Sequence, residues 1–516
     1  MFKTLTKRRK LLATAGGLIG TSALMLGAAV PAGATPAPAQ NTLIIQGGSN
    51  TTYGMMLGLS NLFDQAIGCN PLTTGSTQEL DYSCSTTPQT GGENGYPVGP
   101  TQAAPFNYNQ VNPYNDVVAQ EPPLGSSNGI NAIQDNGTAG SGINAAPIAV
   151  ARSSRAAKSG DDGSEFVAYA EDAVPWFGFS AVPSNVNSGV SCTKNITSIS
   201  DAELTAIYTE SSPTTWGQVA TASGTVLSGA MPSTCTSEDV DCYMAQNGSG
   251  TESTWQTDLS TGSATPTCLS NEQVGNSSNH VIFENEDSAI IGNPAGDDAG
   301  QALFYFSFGK FNTLCPAGKG ACAVHTGFVG KVGEIDGVAA NQCTITDTGL
   351  TLKGKGAKAK CKGTPTKYFT DRELYNVYEN CGPNNTNAVS CNGDDQAEQA
   401  MLNFDSSIGF ICNATTHADQ DPLSPTNATY GTEIDAVITG NGFFPFPLGV
   451  QGDTGGAAVT PWTSSTSSTE AQITQNTVTN WGATSSTNPY YLADVAPSTS
   501  PANNGDKGYC RVTEGT

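Results

Sequence analysis

The sequence predicts an α/β protein of two lobes. Three observations carry this. First, the apolar run Thr42-Leu43-Ile44-Ile45-Gln46 is followed by Gly47-Gly48-Ser49-Asn50, then by Met55, Met56, Leu59, Leu62 and Phe63 at helical spacing. Strand, Gly/Ser turn and helix in that order open an α/β unit. Second, the same small, hydroxyl-rich turn before a helix returns at Gly125-Ser126-Ser127-Asn128-Gly129 and at Gly248-Ser249-Gly250-Thr251. Third, a chain of 516 residues exceeds what one hydrophobic core fills, so two or more lobes are needed.

Residues 1–34 read as a cleavable signal peptide. Lys3, Lys7, Arg8, Arg9 and Lys10 precede an Ala/Gly-rich apolar stretch from Leu11 to Val30, and Ala32-Gly33-Ala34 supplies the small residues for cleavage. Arg8-Arg9 also permits the twin-arginine route. A stretch of about 20 residues could anchor in a membrane instead. Gly16, Gly17, Gly20 and Gly27, with the small-residue exit, argue against that. The first cysteine is Cys69, so no lipid-attachment cysteine follows the leader. The expected product is secreted, extracellular and without a lipid anchor.

Charge and cysteine content narrow the partners. The formal net charge is −24. Removing the five leader cations takes the remainder to about −29, which disfavours nucleic acid and anionic membrane as partners. Only 13% of residues are charged, so Ser, Thr, Asn, Gln and Gly must make the surface polar. Fourteen cysteines, an even number, in an exported chain imply disulfides. Sequence neighbours suggest the pairs 69 with 84, 235 with 242, 315 with 322, 343 with 361 and 381 with 391. No CxxC occurs, and His280, His325 and His417 stand far apart, so neither a metal nor another cofactor is expected.

The remaining elements follow in order. Residues 70–118 lack periodicity and read as loops pinned by cysteines. A helix is expected from Ile130, a short strand at Pro147–Ala151, and a strand pair from Phe166 to Phe179 with Pro175 near its middle. Ser200-Asp201-Ala202-Glu203 has the spacing of a capping box, opening a helix through Leu204, Ile207 and Tyr208. A further helix carries Trp255 and Leu259. Residues 310–365 read as a Cys- and Lys-containing insertion, with a basic run at Lys353–Lys362. Tyr375–Tyr378, Gly409–Cys412 and Ala436–Ile438 read as returning buried strands. Residues 452–516 are rich in Ser, Thr and Asn and read as an irregular tail, with Cys510 placed to tie down its end.

The three Gly/Ser/Thr turns are the chemical signal. Helix N-termini expose unpaired N–H groups and carry partial positive charge. Glycine lets an anion approach the backbone, and hydroxyls add donors. One such turn alone is an ordinary helix cap. Three aimed at one point would hold an oxyanion.

In the order of these motifs the sequence resembles the substrate-binding proteins of bacterial phosphate ABC importers, in their high-GC Gram-positive form. The stretches that carry the resemblance are Ile45–Thr52, Gly125–Ile130, Ala151-Arg152-Ser153-Ser154-Arg155, Ile199–Val219, Gly248-Ser249-Gly250-Thr251 and Arg372–Val377, spread over residues 42–450. The resemblance implies a two-lobed periplasmic-binding-protein-like fold of type II, closing on its ligand by hinge motion. Lobe one would be 41–165 plus 375–450, and lobe two 166–374. It implies a phosphate-like oxyanion as ligand and an ABC permease as partner; a monomer without enzymatic activity is expected. The family's ligands fall on Thr51 and Thr52, on Ser153 or Ser154 with Arg155, and on Ser249, Gly250 and Thr251. Two departures stand out. Arg155 occupies the place where phosphate binders commonly have an aspartate that accepts the ligand's proton, and arginine cannot accept. No arginine flanks the Ser-Gly-Thr turn, which has Ala245 before it and Glu252 after it; Arg152 and Arg155 are the candidates to replace it.

Two other classes compete. A hydrolase would draw on Glu171-Asp172 or on Glu284-Asn285-Glu286-Asp287, although acid clusters in a chain with 45 acids are mostly solvated surface. A secreted adhesion or interaction protein could keep the fold without transport. Helix starts converging on a cleft with Arg155 favour binding; a filled or splayed cleft favours the interaction protein.

Overall fold

The computed structural model describes residues 43–66, 70–71, 82–83, 116–134, 150–161, 164–186, 189–209, 215–222, 231–262, 268, 281–285, 290, 298–315, 321–345, 367–379, 410–412, 417–418, 420–421, 424–446 and 510–514. The leader, the basic run at 353–362, and the expected pairs 69–84, 343–361 and 381–391 all involve residues outside these.

The chain forms two mixed α/β layers. The first is built from β1 (Leu43–Gly48), α1 (Tyr53–Ala66), β2 (Asp116–Leu124), α2 (Ser126–Gln134), β3 (Val150–Ser153) and β4 (Ser164–Ala173). The second begins at β5 (Trp176–Ala181). It continues through α3 (Asp201–Ile207), α4 (Trp216–Ala222), β6 (Asp241–Cys242), α5 (Gly250–Asp258), β7 (Ala302–Tyr305), α6 (Phe308–Leu314), β8 (Ala321–His325) and β9 (Phe328–Val332). The chain returns to the first sheet in β10 (Asp371–Glu379), α7 (Tyr430–Gly440), β11 (Phe444–Pro445) and β12 (Arg511–Glu514).

The first sheet runs β2-β1-β3-β10-β4, with β11 and β12 both on the outer edge of β4. β1 pairs parallel with β2 and β3, while β10 lies antiparallel between β3 and β4. A return strand inserted antiparallel into a parallel run, with a second sheet between its two crossings, is the two-lobed type II arrangement that the resemblance implies. The second sheet runs β8-β9-β5-β7-β6.

Period-two patterning explains both cores. Along β4, Val167 and Tyr169 pack against Met55, Met56, Leu59 and Phe63 of α1, while Phe166 and Ala168 face Ile130 and Ile133 of α2. The first sheet is thus covered on both faces, as parallel strands require. In the second sheet Trp176, Leu303 and Tyr305 face Trp216 and Trp255, whereas Phe177 and Phe304 face Phe306, Phe311 and Phe328.

The chain crosses between sheets at Val174-Pro175 and at Thr370. The two crossings are tied side by side: Val174 N donates to Thr370 O at 2.9 Å and Thr370 Oγ1 to Val174 O at 2.6 Å. The lobe boundaries therefore shift from 165/166 and 374/375, because β4 is paired with β10 from Ser164 to Ala173 and belongs wholly to the first sheet.

Four further expectations change. Ala436–Ile438 is helical, within α7. Its three consecutive apolar residues imitate a strand, but Tyr430, Ile434 and Ile438 are buried at four-residue spacing and Thr429 Oγ1 accepts from Thr432 N as N-cap. Phe410, Ile411 and Cys412 are a buried turn within the first core rather than a strand. Residues 310–365 are not simply an insertion, since β9 pairs directly with β5 and completes the second sheet. Cys235 pairs with Cys192 and Cys242 with Cys268, not with each other. The Cys235 and Cys242 sulfurs belong to different bridges within one buried cluster, which sequence proximity could not foresee. Cys510 does tie down the tail, by a bridge to Cys412, and β12 beyond it pairs with β4. Among the described residues no helix is long and apolar enough to cross a membrane.

Candidate functional site

In an open α/β sheet the loops at the strands' carboxyl ends diverge where connections leave in opposite directions, and that crevice takes ligands. Here β1 connects through α1 to β2 on one side, and β2 through α2 to β3 on the other. The loops after β1 and β3 therefore lie side by side. They carry Ser49–Thr52 and Ser154-Arg155. Gly125, at φ +93°, turns the chain into α2, and its N–H donates to Gly48 O at 3.0 Å.

The second lobe meets this crevice with the start of α5. Ser127 N donates to Gly248 O at 3.0 Å, and Thr254 Oγ1 to Ser154 O at 3.3 Å. Ser249 caps α5 by accepting from Glu252 N at 3.1 Å. A β-carbon on Gly250 would stand 2.2 Å from Ser126 Oγ and 2.3 Å from Ser154 Oγ, so only glycine allows the two lobes to approach this closely.

Three hydroxyls from three different turns converge on one atom, and that atom is a carboxylate oxygen of the chain itself. Thr51 Oγ1, Ser154 Oγ at 3.0 Å and Thr251 Oγ1 at 2.6 Å all donate to Glu284 Oε1. A hydroxyl has a single proton. With those three committed to Glu284, the 3.3 Å contact between Thr51 Oγ1 and Thr251 Oγ1 carries none, and Ser49 Oγ must donate to Ser154 Oγ at 2.9 Å. Ser126 Oγ stands behind the same serine at 3.3 Å and accepts from Ser154 N at 3.0 Å.

Charge around the point is paired. Asp172, at the end of β4, is fully buried and accepts from Arg372 Nη2 at 2.7 Å and Nε at 3.1 Å. It also accepts from Ser307 Oγ and Gly309 N at the start of α6, both at 2.8 Å. Arg372 Nη1 donates to Thr251 Oγ1 and to Ser154 O, both at 3.0 Å. Lys310 of α6 lies near Asp172 and Glu284. Burial lowers its ammonium pKa, the two carboxylates pull it back up and Arg152 opposes them. Burial pushes Glu252 up to about 7, with the Glu284 charge adding and Lys158 and Gln256 opposing.

Of the residues expected at the site, Thr51, Ser154 and Thr251 meet, and Gly250 permits the approach. Thr52 Oγ1 turns back to Ser49 O at 3.4 Å, Ser153 Oγ donates to Arg155 O at 2.8 Å, and Ser249 is a helix cap. Arg155 does not reach the point. Its guanidinium grips Asp161 at 2.6 and 3.0 Å and donates to Ser127 Oγ at 3.0 Å. Arg152 is also engaged, donating to Gln46 O at 2.6 Å and lying 5.3 Å over the Tyr53 ring.

Sequence reasoning missed three residues here. In sequence Arg372 stands out only as part of the crossover. Asp172 and Glu284 fall among acids expected on the solvated surface, yet Glu284 is only 4% exposed. The available signal was position: Glu284 directly follows the apolar Val281-Ile282-Phe283, and Asp172 ends an apolar strand. Residues 125–129 also spell G-x-S-x-G, the serine-hydrolase elbow, at a strand-to-helix turn. Ser127 Oγ, the elbow position, faces Arg155 Nε at 3.0 Å and Lys158 Nζ at 3.4 Å, cations that hold it as an acceptor. Among the described residues no three His, Cys, Asp or Glu side chains are placed to share a metal ion.

No family model matches the sequence, and neither does any curated protein. Among solved structures the chain is similar to a phosphate-binding protein from Stenotrophomonas maltophilia, at 12% identity over 79% of this chain and 91% of that one, with a TM-score of 0.36. PstS from Borrelia burgdorferi aligns at 14% identity over 79% and 99%, with a TM-score of 0.35. An ABC-type phosphate transport receptor from Vibrio cholerae aligns at 13% over 65% and 86%, with a TM-score of 0.33. These neighbours are of the kind that the motif order resembles.

Proposed function

We propose that this chain is a secreted solute-binding protein that captures a small oxyanion of the phosphate class between its lobes and delivers it to an ABC permease. One observation carries the reading: Thr51, Ser154 and Thr251, from three separate turns, aim their protons at a single anionic oxygen. Hydrogen bonds to a charged acceptor are about twice as strong as neutral ones. The donors come from both lobes, as capture between lobes requires. Arg372 adds the cation, anchored by Asp172 so that its Nη1 steadies Thr251.

A second reading, an interaction protein that keeps the fold without transport, draws on the filling of that point by Glu284. Equilibrium dialysis of the full chain against radiolabelled phosphate at millimolar concentration separates the two. Retention that disappears in Thr51→Val/Thr251→Val supports capture. No retention by the native chain, nor by a variant lacking the Glu284 carboxylate, overturns it.

A further inference from the structure

Glu284 occupies the point where an oxyanion ligand would sit. We infer that Glu284 is an internal ligand that sets the affinity of the site: an external oxyanion binds only by displacing this carboxylate. The inference rests on the proposed oxyanion-binding function and deepens it.

The geometry distinguishes an internal occupant from a side chain that merely lines the pocket. A lining carboxylate would accept a proton from the ligand and leave the hydroxyls to the ligand. Here all three hydroxyl protons are spent on Glu284 Oε1, so an anion beside Glu284 would find none of them. The fit is also incomplete. Glu284 Oε2 is buried and makes no hydrogen bond, while Oε1 takes three. A planar carboxylate satisfies the hydroxyl cluster with one oxygen and leaves the other unmatched. A tetrahedral oxyanion has further oxygens to turn toward Arg372 and Lys310.

The described part of the peptide that carries Glu284 has little regular structure. It is joined to the second lobe by a two-residue pairing, Val281-Ile282 with Met244-Ala245, by Gln246 N donating to Ile282 O at 2.8 Å and by Glu284 N donating to Gln246 Oε1 at 2.5 Å. Asn285 bridges the lobes, donating to Thr51 Oγ1 at 2.7 Å and accepting from Ser307 N at 2.7 Å. Val281 and Phe283, both preceding Glu284, are 45% and 54% exposed, while Ile282 between them is buried. With only two paired residues, the main chain here has few ladder bonds to break if the carboxylate withdraws.

When a competent state is only a fraction of the population, apparent affinity falls by that fraction. Removing the competitor should therefore raise affinity. Calorimetric titration of inorganic phosphate into the full-length native chain, Glu284→Ala and Glu284→Gln tests this, with thermal unfolding of each in acetate. Glu284→Ala should bind phosphate at least about tenfold more tightly than the native chain, with Glu284→Gln between them, since its amide oxygen still accepts but carries no charge. Acetate, a carboxylate free to fill the vacated place, should raise the unfolding midpoint of Glu284→Ala and leave the native chain unchanged. If Glu284→Ala does not fold, the same comparison is made with Glu284→Gln. Native affinity equal to or tighter than the variants' overturns the inference and leaves the oxyanion reading standing. No phosphate binding by any form, with acetate protecting Glu284→Ala alone, upholds the internal ligand and overturns the phosphate-class function. No effect of either anion on any form overturns both.

Discussion

Replacing Arg372 by methionine should destabilise the chain strongly, and the structure sets the size. Arg372 and Asp172 are a buried pair, with side chains 3% and 0% exposed. The guanidinium makes four hydrogen bonds: two to Asp172, one to Ser154 O and one to Thr251 Oγ1. Methionine fills much of the volume and removes all four. Removing one partner of a buried pair costs about 3–5 kcal/mol, because a desolvated charge is left behind. Asp172 keeps Ser307 Oγ and Gly309 N, which places the loss near the lower end, about 3 kcal/mol. Adding Asp172→Asn removes the stranded charge, so the double variant should recover about 1–2 kcal/mol of it. Equilibrium urea unfolding followed by tryptophan fluorescence reads this, since Trp176, Trp216 and Trp255 are fully buried in the second lobe. A loss under about 1 kcal/mol, the scale of an exposed pair, would refute the reasoning. So would a double variant whose loss is the plain sum of the two singles. The pair sits where the chain crosses between sheets, so the same variant should also weaken oxyanion binding.

Two further outcomes are expected. Burial holds Glu203, Glu252, Asp258 and Glu433 at about 7, above their unfolded values. In that range the folded state binds more protons than the unfolded one, so stability should fall as pH rises through about 7. His417, lowered to about 4, works in the opposite sense mainly below its unfolded value of about 6.5, and Lys331, lowered by burial to about 8, does so mainly above that folded value, so thermal unfolding compared between pH 7 and 7.5 reads chiefly the acids; a midpoint that rises across that interval contradicts this. Replacing Cys412 and Cys510 together by serine opens a bridge spanning 98 residues and frees the strand that covers β4. The urea midpoint should drop by an amount corresponding to about 2–4 kcal/mol, and an unchanged midpoint would show that β12 is held by pairing alone.

Much of the first lobe was legible because its signals are local. The Gly/Ser turn after β1 and the apolar spacing of Met55, Met56, Leu59 and Phe63 need only neighbouring residues to act. Ser200 and Ser249 announce α3 and α5 by side chains that cap helices three residues on. Where local patterns conflict, the wider period decides. Ala436–Ile438 looked like a strand over three residues and is a helix over eleven. Cysteine pairing was illegible for the opposite reason: Cys192 and Cys235 are 43 residues apart and meet only when the second lobe packs.

By itself the sequence determined the α/β class, the two-lobed division and the three hydroxyl-rich turns, because strand and helix periodicity, capping and backbone freedom at glycine act over a few residues. The tertiary structure alone decided which hydroxyls share a target, and what that target is. Thr51, Ser154, Thr251, Asp172, Glu284 and Arg372 span more than 300 positions of sequence. Their charges are compensated only after both lobes have folded and closed on one another. Thus Arg155, the arginine that the motif order singled out, turned to the nearby Asp161. Arg372 took the central place, because the return crossing brings β10 back beside β4 and sets its guanidinium against Asp172.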